Sequence, residues 1–230
     1  MITAETNTGP DTRIKRTFAQ LKEQGRKALI SFITAGDPGP EFTVAGLHAL
    51  VAGGADLLEL GIPFSDPEAE GPTIQAANER ALAGGITLKQ VLVMVAEFRQ
   101  QDTQTPIILM GYLNSVLAMQ DFAVKASQAG VDGLIMVNLP PEEGNELQAQ
   151  LAANGMDLIY LIAPTTTEVR ATEIISKASG FIYYVSLKGI TGAGNLDTGE
   201  VGMRTNQVRA TTEIPLWVGS GIRDAAIATA

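Results

Sequence analysis

Seven short apolar runs of strand character along this chain are separated by stretches of helical spacing, and that alternation leaves few folds open. The first strand lies in ALISFITAGDP (28–38), a buried run ending in a Gly-Asp-Pro turn. Further strands are expected over 56–60, near 106–111, in VDGLIMVNLPPEE (131–143), over 157–162, 181–186 and 215–219. The intervening spacing predicts helices over 41–53, 72–83, 88–101, 118–129, 141–153, 168–178 and 198–210. Thr87 is placed to cap the helix at 88, and the Pro140-Pro141 pair to open the helix at 141. An amphipathic helix over 11–24, with Ile14, Phe18 and Leu21 on one face, precedes the first strand and should cover apolar surface.

Strands that alternate with helices build a parallel sheet of βα units. An open doubly wound sheet and a closed barrel both satisfy the pattern. No glycine-rich dinucleotide fingerprint follows the first strand, and polar segments gather at the C-terminal ends of many strands, so the barrel is favoured. After the seventh strand about a dozen residues remain, whereas helix, strand and helix would take roughly 35. The expected fold is therefore α/β, a (β/α)8 TIM-barrel type with an N-terminal covering helix, lacking the final strand and helix in this chain. Residues 1–230 are expected to form this single domain.

Composition narrows the chemistry. With no cysteine and His48 as the lone histidine, thiolate chemistry is absent, and an imidazole metal site or a Ser-His-Asp triad finds no partners. Acid-base work falls to Glu, Asp, Tyr or Lys. A net charge of −9 without basic clusters argues against nucleic-acid binding. No apolar run approaches the roughly 20 residues that span a bilayer, and the N-terminus lacks a secretory apolar segment, so no membrane role and a cytoplasmic location are expected.

The segment LLELGIPFSDPEAEGPTIQ (57–75) stands apart. Glu59 sits inside an apolar strand, where a carboxylate is costly unless its pKa shifts or its charge is used. A loop rich in turn formers follows, carrying Asp66, Glu68 and Glu70 over the strand end. An acid near a strand end also serves as a cap or an ion-pair partner, so residue type alone leaves both roles open.

This segment closely resembles the tryptophan synthase α chain family. The resemblance extends through FITAGDP (32–38), GYLN (111–114), AGVDGLIMVNLPPEE (129–143), APTTT (163–167), YVSLKGITGAG (184–194) and GSGIRD (219–224). It implies a retro-aldol lyase that cleaves indole-3-glycerol phosphate to indole and glyceraldehyde 3-phosphate. Glu59 matches the family's principal acid-base catalyst. Glu70 stands where the family has an aspartate that pairs with the indole N–H, a departure by one methylene, and Glu68 replaces a usually apolar residue. Tyr183 matches a tyrosine lining the site, although a core tyrosine beside Tyr184 is an alternative. Phe32 and Thr191 match substrate-contacting positions, Thr191 in a glycine-rich segment resembling a lid. Gly192, Gly219 and Gly221 match positions where backbone amides approach the phosphate.

Asn138 stands where the family usually has aspartate, and Ser220 where an aromatic is common. Pro63 and Asp66 match positions at the interface with the β chain, with which the family assembles as an αββα complex. The resemblance implies no metal or organic cofactor in this chain, pyridoxal phosphate being confined to the partner. Glu68, Glu70 and the missing strand suggest an alternative: a catalytically weak or inactive chain that binds and activates the β chain.

Overall fold

The computed structural model describes residues 11–186 and 198–219. The elements run α1 (Arg13–Glu23), β1 (Ile30–Thr34), α2 (Pro40–Ala52), β2 (Leu57–Gly61), α3 (Pro72–Ala83), α4 (Leu88–Phe98), β3 (Ile107–Gly111), α5 (Leu113–Leu117), α6 (Phe122–Ala129), β4 (Gly133–Met136), α7 (Asn145–Ala153), β5 (Asp157–Ile162), α8 (Glu168–Lys177), β6 (Ile182–Val185), α9 (Thr198–Arg209) and β7 (Leu216–Gly219). Seven strands lie side by side in sequence order, each parallel to the next. This is the strand succession of a (β/α) barrel, with helices over the outside. Among the described residues β1 and β7 each pair on one side only. The expectation about a final strand and helix concerns positions outside the described residues.

Strand alternation divides the apolar side chains between two cores. Leu58, Leu60, Ile107, Leu109, Leu134 and Ile182 point outward and pack with helix residues such as Leu47, Val95 and Phe98. Ile30, Leu57, Ile108, Ile135, Ile159, Phe181 and Tyr183 turn inward and form the second core with Ile14 of α1. Full burial of a side chain such as Ile14 is worth about 1.5–3 kcal/mol, which is why the N-terminal helix closes this end of the barrel. Polar contacts pin it there. The Thr12 hydroxyl accepts from Lys15 N–H as the α1 cap and donates to Asp157 at 2.9 Å. Arg13 and Arg99 each donate to the buried Asp132 at 2.7 Å, and Ile107 N–H adds a third bond at 2.8 Å.

Two helix expectations need correction. The helix expected over 118–129 is α6 alone and begins only at Phe122, because Asp121 before it adopts the left-handed conformation (φ 55°), which a continuing α-helix does not allow; the short α5 ahead of it was not among the expected helices. Pro140-Pro141 does not open a helix: a turn follows, and α7 starts only at Asn145. Thr87 does cap α4, in a reciprocal arrangement with Gln90.

Candidate active site

Because Leu58 and Leu60 face the helices, the pleat of β2 turns Glu59 inward, one pair of residues above Leu57. Glu59 is 1 % exposed, and its Oε1 has no hydrogen-bond partner among the described residues. Burial pushes its pKa up to about 8, and the nearby charge of Glu70 pushes in the same direction. At neutral pH the group is therefore mostly a neutral acid with a proton to give. Once ionised, it is a base of matching strength.

The surroundings are aromatic and apolar. Phe32 on β1 is the register neighbour of Glu59, and its ring lies over Gly61, where an added Cβ would stand 2.7 Å from Cζ. Across the barrel, Tyr183 on β6 is buried and meets Trp217 of β7 edge-on, with ring centroids 4.4 Å apart. The Tyr183 ring leans over Gly219, where any Cβ would collide with its hydroxyl and Cζ. Glycine at 219 is thus required by the tyrosine as well as permitting close approach to the strand end.

The loop after β2 carries the remaining acids. Pro63 is buried and Asp66 exposed, the latter accepting from the Ser65 hydroxyl at 2.5 Å. Glu68 is exposed and Glu70 half-buried; the Glu70 N–H donates to Pro67 O at 3.0 Å, while its carbonyl accepts from Gln75 Nε2 at 2.9 Å. Asn78 of α3 accepts from Phe64 N–H at 3.2 Å and ties the loop start to that helix. Beyond the end of β4, Asn138 is exposed and accepts from Leu113 N–H at 2.8 Å, so it ties the segments that follow β3 and β4. It also lines an open cavity of about 320 Å³ with Tyr160 and Arg170.

The structure thus brings Phe32, Glu59 and Glu70 to one part of the mouth and Tyr183 with Gly219 to another. Thr191, Gly192, Ser220 and Gly221 lie outside the described residues. Two polar side chains were not singled out by the sequence reading. Thr34, the last residue of β1, is buried with its hydroxyl unpartnered among the described residues. Tyr112, within the GYLN motif, bonds the β2 loop through Ala69 N–H at 2.9 Å. Spacing held no signal for the Tyr112 bond, which spans 43 positions. Among the described residues no cluster of three or more His, Asp or Glu could hold a metal, and no single helix is long and apolar enough to cross a membrane.

Fold and site together define a parallel (β/α) barrel with a buried carboxyl at the C-terminal mouth of its strands, the face where such barrels carry out chemistry. The sequence model of the family described as "Tryptophan synthase alpha chain" matches residues 18–230. The chain belongs to that family. A tryptophan synthase alpha chain of Azoarcus sp. (strain BH72) is 57% identical over 216 residues, covering 93% of this chain and 80% of the relative. The crystal structure of tryptophan synthase subunit alpha from Legionella pneumophila str. Paris shares 47% identity with a TM-score of 0.85, covering 93% of this chain and 79% of that one. A chain of the tryptophan synthase complex from Pyrococcus furiosus shares 33% identity with a TM-score of 0.79, covering 88% and 81%.

Proposed function

We propose that this chain performs the α reaction of tryptophan synthase, cleaving indole-3-glycerol phosphate to indole and glyceraldehyde 3-phosphate, with Glu59 as acid and base. The observation that carries the reading is the buried carboxyl with an unpartnered Oε1 at the barrel mouth, in a chain of this family. Buried polar atoms are nearly always bonded, so one left open at a strand mouth suits a substrate group.

The protonated Glu59 delivers its proton to C3 of the indole ring, leaving positive charge on the ring nitrogen. The carboxylate so formed takes the proton of the glycerol hydroxyl next to the ring. The O–H electrons become the new carbonyl, the carbon–carbon bond breaks towards the ring, and neutral indole leaves. A carboxyl with a pKa of about 8 is matched to both transfers near neutrality. Glu70 pairs with the indole N–H and stabilises the ring charge. Phe32 and Tyr183 wall the indole pocket, while Thr191, Gly192, Gly219 and Gly221 serve the substrate's closing and phosphate contacts.

No cofactor enters this step. The chain works with the β chain, which holds the pyridoxal phosphate, in an αββα assembly in the cytoplasm, docking through the loop that carries Pro63 and Asp66. Residues 1–230 act as one barrel domain. The test is indole release from indole-3-glycerol phosphate, with and without a β chain, by the parent and by Glu59→Gln. Loss of turnover of at least a hundredfold in a folded variant is expected, a general acid-base contribution being worth about 10²–10⁴. Undiminished turnover in the variant, or none in a folded parent, would overturn the reading.

A further inference from the structure

We propose that Tyr112 is a positioning residue for the loop acid: its ring and hydroxyl clamp residues 64–69 so that the Glu70 carboxylate is held at the barrel mouth beside Glu59. The inference rests on the role given to Glu70 above. Tyr112 immediately follows β3 and is 4% exposed, so the strand fixes its backbone and its surroundings fix its ring.

Two contacts reach from it into the β2 loop. The phenol ring stacks on Phe64, with centroids 4.8 Å apart and planes 21° from parallel. The hydroxyl oxygen accepts from Ala69 N–H at 2.9 Å, one residue before Glu70. One side chain therefore grips the loop near both ends. Beyond Ala69 the chain is held again, since the Glu70 carbonyl accepts from Gln75 and the Gly71 carbonyl accepts from the Gln75 backbone. The Glu70 backbone is thus fixed on both sides, by Tyr112 before it and by α3 after it. The negative charge of Glu70 acts on both Glu59 and Tyr112, which sets the acid between the catalyst and its clamp.

Geometry of this kind matters because misplacing a catalytic group by about 1 Å costs on the order of a hundredfold. Glu70 has one more rotatable bond than an aspartate, so its reach is set by how firmly its backbone is held. Phe64 and Asn78 fix the start of the loop; only the Tyr112 hydroxyl, among the hydrogen bonds described, fixes the Ala69 amide.

Tyr112→Phe keeps the stack on Phe64 and deletes the hydrogen bond alone. Affinity for an unreactive indole-3-alkyl phosphate would be measured by calorimetry in the parent, Tyr112→Phe, Glu70→Gln and the double variant, beside kcat and KM for indole release. Loss of a single neutral hydrogen bond predicts roughly three- to tenfold weaker affinity and a kcat fall of about tenfold in Tyr112→Phe. Adding Tyr112→Phe to Glu70→Gln should weaken affinity no further, because the clamp then holds nothing that binds. A tyrosine of purely structural use would cost the same factor in both backgrounds, and that result, or no loss in the parent background, would overturn the proposal. Hydrogen exchange at the Ala69 amide separates the two readings. Faster exchange in Tyr112→Phe, in a parent that neither binds the phosphate nor releases indole, would sink the proposed function and leave the clamp standing. Unchanged exchange would sink the clamp whatever the turnover.

Discussion

Glu59 should make the fold less stable as pH rises, and replacing it with glutamine should show by how much. Its carboxyl is buried and its pKa stands at about 8 against an ordinary 4.5. A group raised on folding favours the native state most below its unfolded pKa, where both states hold the proton. As pH climbs from 4.5 towards 8, the unfolded chain releases that proton while the folded chain must keep it, and stability is lost across that window. With 1.36 kcal/mol per pKa unit, the penalty integrates to about 1 kcal/mol at pH 5, about 3 at pH 7 and about 5 at pH 9. Glu59→Gln is isosteric and does not titrate. Its own amide desolvation shifts stability by a constant, so the signal is the slope with pH rather than the offset. Urea unfolding of both chains at pH 5, 7 and 9, fitted with a common m-value, should show the variant gaining about 4 kcal/mol on the parent across the range. Titratable groups that do not interact with Glu59 are common to the two and cancel. A stability difference flat with pH would mean that Glu59 ionises in the fold as freely as in water, and the acid-base argument built on it would fail.

Two further outcomes follow from packing at opposite ends of the strands. Gly61→Ala puts a Cβ 2.7 Å from Cζ of Phe32, so the ring must swing away beside Glu59; KM should rise several-fold with a stability loss of about 1–3 kcal/mol, checked by steady-state kinetics and urea unfolding. Asp132→Ala strands Arg13, Arg99 and Ile107 N–H at the N-terminal face, which should cost about 3–5 kcal/mol in urea unfolding while kcat of the folded fraction holds, because that face lies away from the mouth.

How much of this was legible in the sequence depends on the range of the interactions involved. The βα order was readable because strands buried on both faces are short continuous apolar runs, as in β2 with Leu57, Leu58 and Leu60 and in β6 with Ile182, Tyr183, Tyr184 and Val185. The short α5 and the late start of α6 were not, since helical spacing runs through residues 118–129 while residues 118–121 form a turn that ends in the left-handed Asp121. Pro140-Pro141 carried a helix-start signal, yet the chain spends it on a turn before Asn145. Glu59 stood out as an acid in an apolar run, and Glu70 as one of three loop acids that only the family likeness told apart. Tyr112 was invisible as a clamp because its bond to Ala69 spans 43 positions.

Glu59 also shows why fold and chemistry cannot be assigned to separate residues here. The pleat that sends Leu58 and Leu60 into the helical core leaves position 59 no direction but inward. An apolar residue there would extend the inner core of Leu57 and Ile108 and relieve the penalty worked out above. A carboxyl at that place lowers stability at neutral pH, and the cause of the loss, removal from water, is the same one that tunes its proton to neutrality. Stability and acid strength at this position are therefore one quantity measured in two ways: a change that lets water reach Glu59 should increase stability above pH 7 and, to the same extent in pKa, detune it as an acid-base catalyst.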